Sequence, residues 1–209
     1  MDMKRLLRFI FLACLVRPFI SLLLGRSVKG AENLPVAGPA IIAANHNSHL
    51  DILYLISIMP LKALPLIRPV AAADYFCRTA LTSWLSSTLL GIIPLERKRG
   101  SFHCDPLEGP SSALENGEIV IIFPEGSRGN PEEMGQVKPG VAHLAKRFPD
   151  VPVVPVFMRN LGKSLPRGSF VLVPFCGKAA AGKALFYSND VKQFTGDIES
   201  ALRTLEKSM

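Results

Sequence analysis

Glu118-Ile119-Val120-Ile121-Ile122-Phe123-Pro124-Glu125-Gly126-Ser127-Arg128-Gly129 joins the most strand-like run of the chain to a tight polar loop. Residues 119–122 are all β-branched, which suits a buried pleated strand, and Pro124 withdraws the backbone donor that a further ladder bond would need. Two glycines then flank Ser127 and Arg128. They let backbone approach a ligand closely, and a guanidinium between them is suited to bidentate contact with a phosphate.

Working outward, the same alternation of short apolar runs and helical stretches fills the chain from about residue 30. Ala40–Ala44 reads as a buried strand, Ile52–Met59 as a helix stopped by Pro60, Ile67–Ala73 as a strand, and Arg78–Leu90 as a helix carrying Trp84. Beyond the opening stretch, Lys138–Arg147 reads as a helix and Val153–Met158 and Phe170–Cys176 as strands. Ile198, Ala201, Leu202 and Leu205 mark one face of a closing helix. Gly100–Ser112 and Gly126–Gln136 read as polar loops. Strands alternating with helices predict an α/β fold with a central, mostly parallel sheet flanked by helices.

The loop after the first of these strands is Asn45-His46-Asn47-Ser48-His49-Leu50-Asp51. On an ideal helix His46 and Asp51 would be separated by about 140° around the axis, so they meet only if His46 sits in the turn and Asp51 in the first helical turn. Ser48-His49-Leu50-Asp51 fits an S-x-x-D capping pattern, with Ser48 as N-cap and Asp51 at N3. If the two strands are parallel, this loop and the 123–129 loop open on one sheet edge and form one site.

Of the 209 residues 48% are hydrophobic and 20% charged, with a net charge of +7. Such a chain has enough apolar surface to fold, which excludes disorder as its main state. No uninterrupted stretch of about 18 residues lacks a charge or a proline, which argues against a multi-span membrane protein. Residues 1–30 hold Lys4, Arg5, Arg8, Arg17, Arg26 and Lys29 against Asp2 alone, so most of the excess charge lies in the most apolar segment. The unbroken run Phe9–Val16 would rise about 12 Å as a helix, far short of a hydrocarbon core of about 30 Å. No small-x-small cleavage site follows, as a signal peptide would need. Residues 1–28 are therefore expected to form an interfacial helix or helix pair, broken or kinked at Pro18, with basic residues among anionic headgroups. Packing on the protein's own core is the alternative. Residues 29–209 then form the domain that carries both loops.

Other patterns weigh less. Ser127 lacks the first glycine of a G-x-S-x-G nucleophile elbow. His46 and His49 find no third ligand cluster, so no metal is expected. Cys14, Cys77, Cys104 and Cys176 are scattered, which fits reduced thiols rather than a disulfide framework. Arg97-Lys98-Arg99 offers a second phosphate contact. Nucleic acid is disfavoured, because the basic residues lack interleaved aromatics.

Taken together these residues resemble the glycerolipid acyltransferases, a family that includes the 1-acylglycerol-3-phosphate acyltransferases. The resemblance covers about residues 30 to 180 and rests on four ordered blocks. N-H-x-x-x-x-D matches Asn45-His46 through Asp51, G-x-x-x-x-x-R matches Gly91 through Arg97, F-P-E-G-[ST]-R matches Phe123 through Arg128, and V-P-V matches Val154-Pro155-Val156. Lys138-Pro139-Gly140-Val141-Ala142 also resembles the F-K-x-G-A stretch that follows the third block. One departure stands out: where phosphatidate-forming members commonly carry a lysine three residues before a phenylalanine, Ala73 precedes Phe76.

The resemblance implies acyl transfer from an acyl-CoA or acyl-carrier-protein thioester to a lipid hydroxyl, with no further cofactor. It casts His46 as general base, Asp51 as the group orienting the imidazole, and Glu125, Gly126, Ser127, Arg128 and Arg97 as acceptor-binding residues. Glu125 is expected to order its loop or contact the acceptor rather than act as an acid, and Pro155 to be structural. Lysophosphatidate is the expected acceptor. A different lysolipid acceptor, or a lipid or thioester hydrolase using water, are the alternatives. The anchor implies association with an anionic membrane surface, at the cytoplasmic face of a bacterial inner membrane.

Overall fold

The computed structural model describes residues 3–72, 84–95, 105–127, 133–164, 173, 175–188 and 190–209. The strands are β1 (Ser27–Lys29), β2 (Ala40–Ala44), β3 (Ile67–Ala72), β4 (Ile93–Leu95), β5 (Ile119–Ile122), β6 (Val153–Arg159) and β7 (Lys178–Ala181). Among the described residues they form one seven-stranded sheet, ordered β1-β7-β6-β2-β5-β3-β4. Pairing is parallel throughout except between β6 and β7, so β1 and β7 run against the other five.

Side-chain alternation divides the core into two layers. On one face lie Ala40, Ile42 and Ala44 of β2 with Ile119 and Ile121 of β5; on the other lie Ile41, Ala43 and Val120. The first face is covered by α1 (Met3–Leu24) and α2 (Asp51–Ile58), through Leu12, Val16, Ile20, Leu24, Tyr54 and Leu55. The second is covered by α3 (Glu108–Glu115), α4 (Gly140–Arg147) and, beyond the short α5 (Leu161–Ser164), by α6 (Val191–Lys207). Strands buried on both faces explain why β2 and β5 read as continuous apolar runs. Asp190 caps α6 by accepting the Gln193 N–H at 2.8 Å.

The break expected at Pro18 is absent. Helical backbone continues through Val16 (φ −63°, ψ −51°) and Arg17 (φ −60°, ψ −52°), and residues 12–16 wind as a π-helix. Pro18 has no N–H for the carbonyl four residues back and its ring crowds that group; the wider winding just ahead of it accommodates both. The result is a 22-residue helix, long and apolar enough to cross a membrane, which the eight-residue run did not foretell.

The same π-helical stretch keeps a four-residue stripe in line. Arg8, Leu12, Val16, Ile20 and Leu24 are all buried, although an i+4 stripe on a regular α-helix drifts by about 40° per step. The opposite side carries Met3, Leu6, Leu7, Ile10, Leu15, Phe19 and Leu22, with Leu22 90% exposed. Charged side chains fasten the helix to the domain. Arg5 pairs with Glu118 at 3.2 Å, Arg8 donates to Thr88 O and Pro65 O, and Arg17 donates to Met59 O at 3.0 Å. The boundary expected between residues 28 and 29 falls inside β1.

Two further expectations are corrected. Residues 108–112, expected to belong to the Gly100–Ser112 loop, open the helix Glu108–Glu115, because Gly109 and Pro110 sit in its first turn, where proline is tolerated. The last strand is Lys178–Ala181, not Phe170–Cys176: residues 173, 175 and 176 lie outside any strand, while 165–172 and 174 fall outside the described residues. The first part of the helix expected at 78–90 also falls outside them; Trp84 onward is helical.

Candidate active site

Parallel register builds the site. Ala43 of β2 lies opposite Ile122 of β5. Three residues further along each chain come His46 and Glu125, so two loops leave the same sheet edge at the same height. The His46 N–H donates to Glu125 Oε1 at 2.8 Å, and the His46 imidazole stacks on Phe123, with centroids 4.2 Å apart and planes at 20°. Asn45 ties the first loop to the other neighbour of β2: its Nδ2 donates to Met158 O at 2.9 Å and its Oδ1 accepts the Met158 N–H at 2.6 Å.

His46 and Asp51 meet as their spacing required, one in the turn and one at the start of α2. His46 Nδ1 lies 2.8 Å from Asp51 Oδ2, which also accepts the N–H groups of Asn47 at 2.7 Å and Ser48 at 2.8 Å. Asp51 is 1% exposed. An ionised carboxylate only accepts, so Nδ1 carries the proton in this contact and the neutral imidazole presents Nε2 as its basic atom. The capping pattern is shifted. α2 begins at Asp51 rather than two residues earlier, and the Ser48 hydroxyl accepts from Leu50 N–H at 3.3 Å. Asp51 still reaches back to backbone amides ahead of the helix, as the third residue of a capping box does.

Glu125 is buried with both carboxylate oxygens occupied, Oε1 by the His46 N–H and Oε2 by the Gly135 N–H at 2.8 Å. Burial pushes its carboxyl above the usual range, and the two backbone donors offset part of that rise. The carboxylate thereby ties the backbone at His46 and at Gly135 to its own loop. Gly126 closes a turn through its N–H to Phe123 O at 3.0 Å with φ of +71°, a conformation that favours glycine. Gly126 and Ser127 are exposed beside His46's loop; Arg128 and Arg97 fall outside the described residues. Pro155 is buried within β6, its carbonyl accepting the Gly182 N–H at 2.9 Å.

Sequence reasoning missed Phe123 and Asn45 as supports of the histidine. Both stand inside the recognised blocks, and an aromatic at the end of a strand paired with the histidine's own strand was the available signal.

An α/β sheet with N-H-x-x-x-x-D and F-P-E-G-S on adjacent strand ends defines the acyltransferase class, and the chain belongs to that family, whose model matches residues 25–159. It is 32% identical over 144 residues to the chloroplast 1-acyl-sn-glycerol-3-phosphate acyltransferase of Arabidopsis thaliana, covering 68% of this chain and 38% of that one. It is 30% identical over 134 residues to the human alpha form, covering 64% and 45%, and 33% identical over 146 residues to the Saccharomyces cerevisiae enzyme, covering 68% and 46%. The matched stretch thus spans less than half the length of each relative. Among solved structures, the 1-acyl-sn-glycerophosphate acyltransferase PlsC of Thermotoga maritima shares the fold, with a TM-score of 0.75 at 19% identity over 95% of this chain and 79% of that one.

Proposed function

We propose that this chain transfers a fatty acyl group from an acyl-CoA or acyl-carrier-protein thioester to the free hydroxyl of 1-acylglycerol-3-phosphate, forming phosphatidate. The observation that carries the reading is the His46–Asp51 pair, with Asp51 Oδ2 held by two backbone amides and the imidazole. His46 Nε2 takes the hydroxyl proton as the oxygen attacks the thioester carbonyl. Asp51 stabilises the imidazolium so formed, which then protonates the departing thiolate. A thioester's leaving group is good enough that no acyl-enzyme is required. Support for this acceptor comes from the similar enzymes, which are named as 1-acyl-sn-glycerol-3-phosphate acyltransferases.

The same reading places the protein at a membrane interface. Its support is the two-sided α1: one side is fixed in the core from Arg8 to Leu24 while the other is apolar and exposed, which suits a helix lying in the interface plane rather than one crossing alone. The test is mass spectrometry of the products formed from a panel of lysolipids with acyl-CoA and with acyl-carrier protein. Phosphatidate from lysophosphatidate is expected. Free fatty acid formed equally without any lysolipid would overturn the reading in favour of a hydrolase.

A further inference from the structure

The loop that follows β5 is accompanied by one lysine, in backbone and in side chain. The Lys138 N–H donates to Pro124 O at 2.9 Å. Its side chain then runs along Gly126, where an added Cβ would lie 2.9 Å from Nζ and 3.4 Å from Cδ. Glycine at 126 thus leaves room for an ammonium group as well as permitting the turn. Among the described residues, Nζ has neither an ion-pair nor a hydrogen-bond partner, and Lys138 is exposed. The nearby Glu125 carboxylate does not claim it, since both oxygens are held by backbone amides.

Helix stability does not explain the charge either. Lys138 stands just ahead of α4, whose first turn has no acidic residue, and a cation there opposes the helix dipole. What the position does offer is a compact positive charge one residue from Glu125, which grips the His46 amide. We propose that Lys138 is an acceptor-binding residue, its ammonium group reaching across Gly126 to hold the phosphate monoester of the lysolipid. This rests on the acyl-transfer reading above. A flexible point charge with three donors suits a dianionic phosphate that must enter and leave with each turnover.

The test is steady-state kinetics of the full-length chain, varying lysophosphatidate, uncharged monoacylglycerol and acyl-CoA separately. In Lys138→Met the KM for lysophosphatidate should rise about tenfold, by more than kcat falls, as loss of one charged hydrogen bond predicts. The preference for lysophosphatidate over monoacylglycerol should fall with it, and Lys138→Arg should restore most of both. Gly126→Ala, which crowds Nζ, should shift the same KM. An unchanged KM for lysophosphatidate in Lys138→Met overturns the proposal. So does a rise confined to acyl-CoA, which would assign Nζ to a phosphate of the donor. If the wild type transfers no acyl group at all, the functional reading falls first, and titration calorimetry with inorganic phosphate decides Lys138 by itself: equal binding by wild type and Lys138→Met overturns it.

Discussion

Phe123 and His46 stack nearly parallel, 4.2 Å between centroids, although they leave different strands. The strand that supplies the Glu-Gly-Ser-Arg loop therefore also supplies the plane against which the His46 imidazole is held. Phe123→Leu keeps an apolar side chain but removes the flat partner, and kcat should fall by about tenfold with little change in KM, since loss of orientation acts on the chemical step. A KM increase with kcat intact would show instead that Phe123 contacts substrate.

His46→Ala should lower turnover by about 10²–10⁴-fold, the usual contribution of a general base, with vesicle binding and the melting transition retained. A fully active variant would remove His46 from the mechanism.

Asp51 separates charge from scaffolding. In Asp51→Asn the amide oxygen can still accept from Asn47 and Ser48, so the chain should fold while losing nearly all turnover. Asp51→Ala instead strands both backbone donors, at about 1–3 kcal/mol each, and its denaturation midpoint should drop well below that of the asparagine variant. Equal stability of the two would mean that water replaces the carboxylate in this turn.

Glu125 gives a signed pH dependence. Burial raises its folded value above the usual 4.5, so between the two values the native chain binds more protons than the unfolded one. The stability Glu125 contributes is therefore complete below about 4.5 and declines as pH rises through the raised folded value. Urea midpoints of the wild type minus those of Glu125→Gln, measured from acid to neutral pH, should shrink across that window. A difference that widens with pH would contradict the sign.

The two sides of α1 predict opposite phenotypes. Replacing Leu15, Phe19 and Leu22 with serine should weaken binding to anionic vesicles by at least about tenfold, because each apolar side chain contributes up to about 1.5–3 kcal/mol when buried; thermal stability should hardly change. Ile20→Ala, on the buried side, should cost about 2–5 kcal/mol of stability. Vesicle binding that ignores the triple substitution would deny α1 its interfacial role.

The elements legible in the sequence were those whose burial is nearly complete. β2, β5 and β6 are continuous apolar runs because both faces are covered, and α6 shows its stripe because only one is. β7 escaped detection because Lys-Ala-Ala-Ala has no β-branched signature and is recruited by its neighbours β6 and β1. Helical continuity through Pro18 was illegible because π-winding is a response of backbone geometry, not a residue preference. At the site, His46 and Asp51 could be paired from spacing and turn chemistry. The bridging by Glu125 could not, because its partners are two backbone amides, one ten residues away, and an amide leaves no mark in the sequence.

The stripe Leu12, Val16, Ile20 and Leu24 has a practical consequence for anyone handling this protein. It is the outer wall of the apolar layer over β2 and α2, so trimming residues 1–24 to obtain a more soluble enzyme would uncover Tyr54, Leu55 and their neighbours and exchange one greasy surface for another. A shortened gene would leave the apolar face of α2 and β2 exposed in place of the outer face of α1.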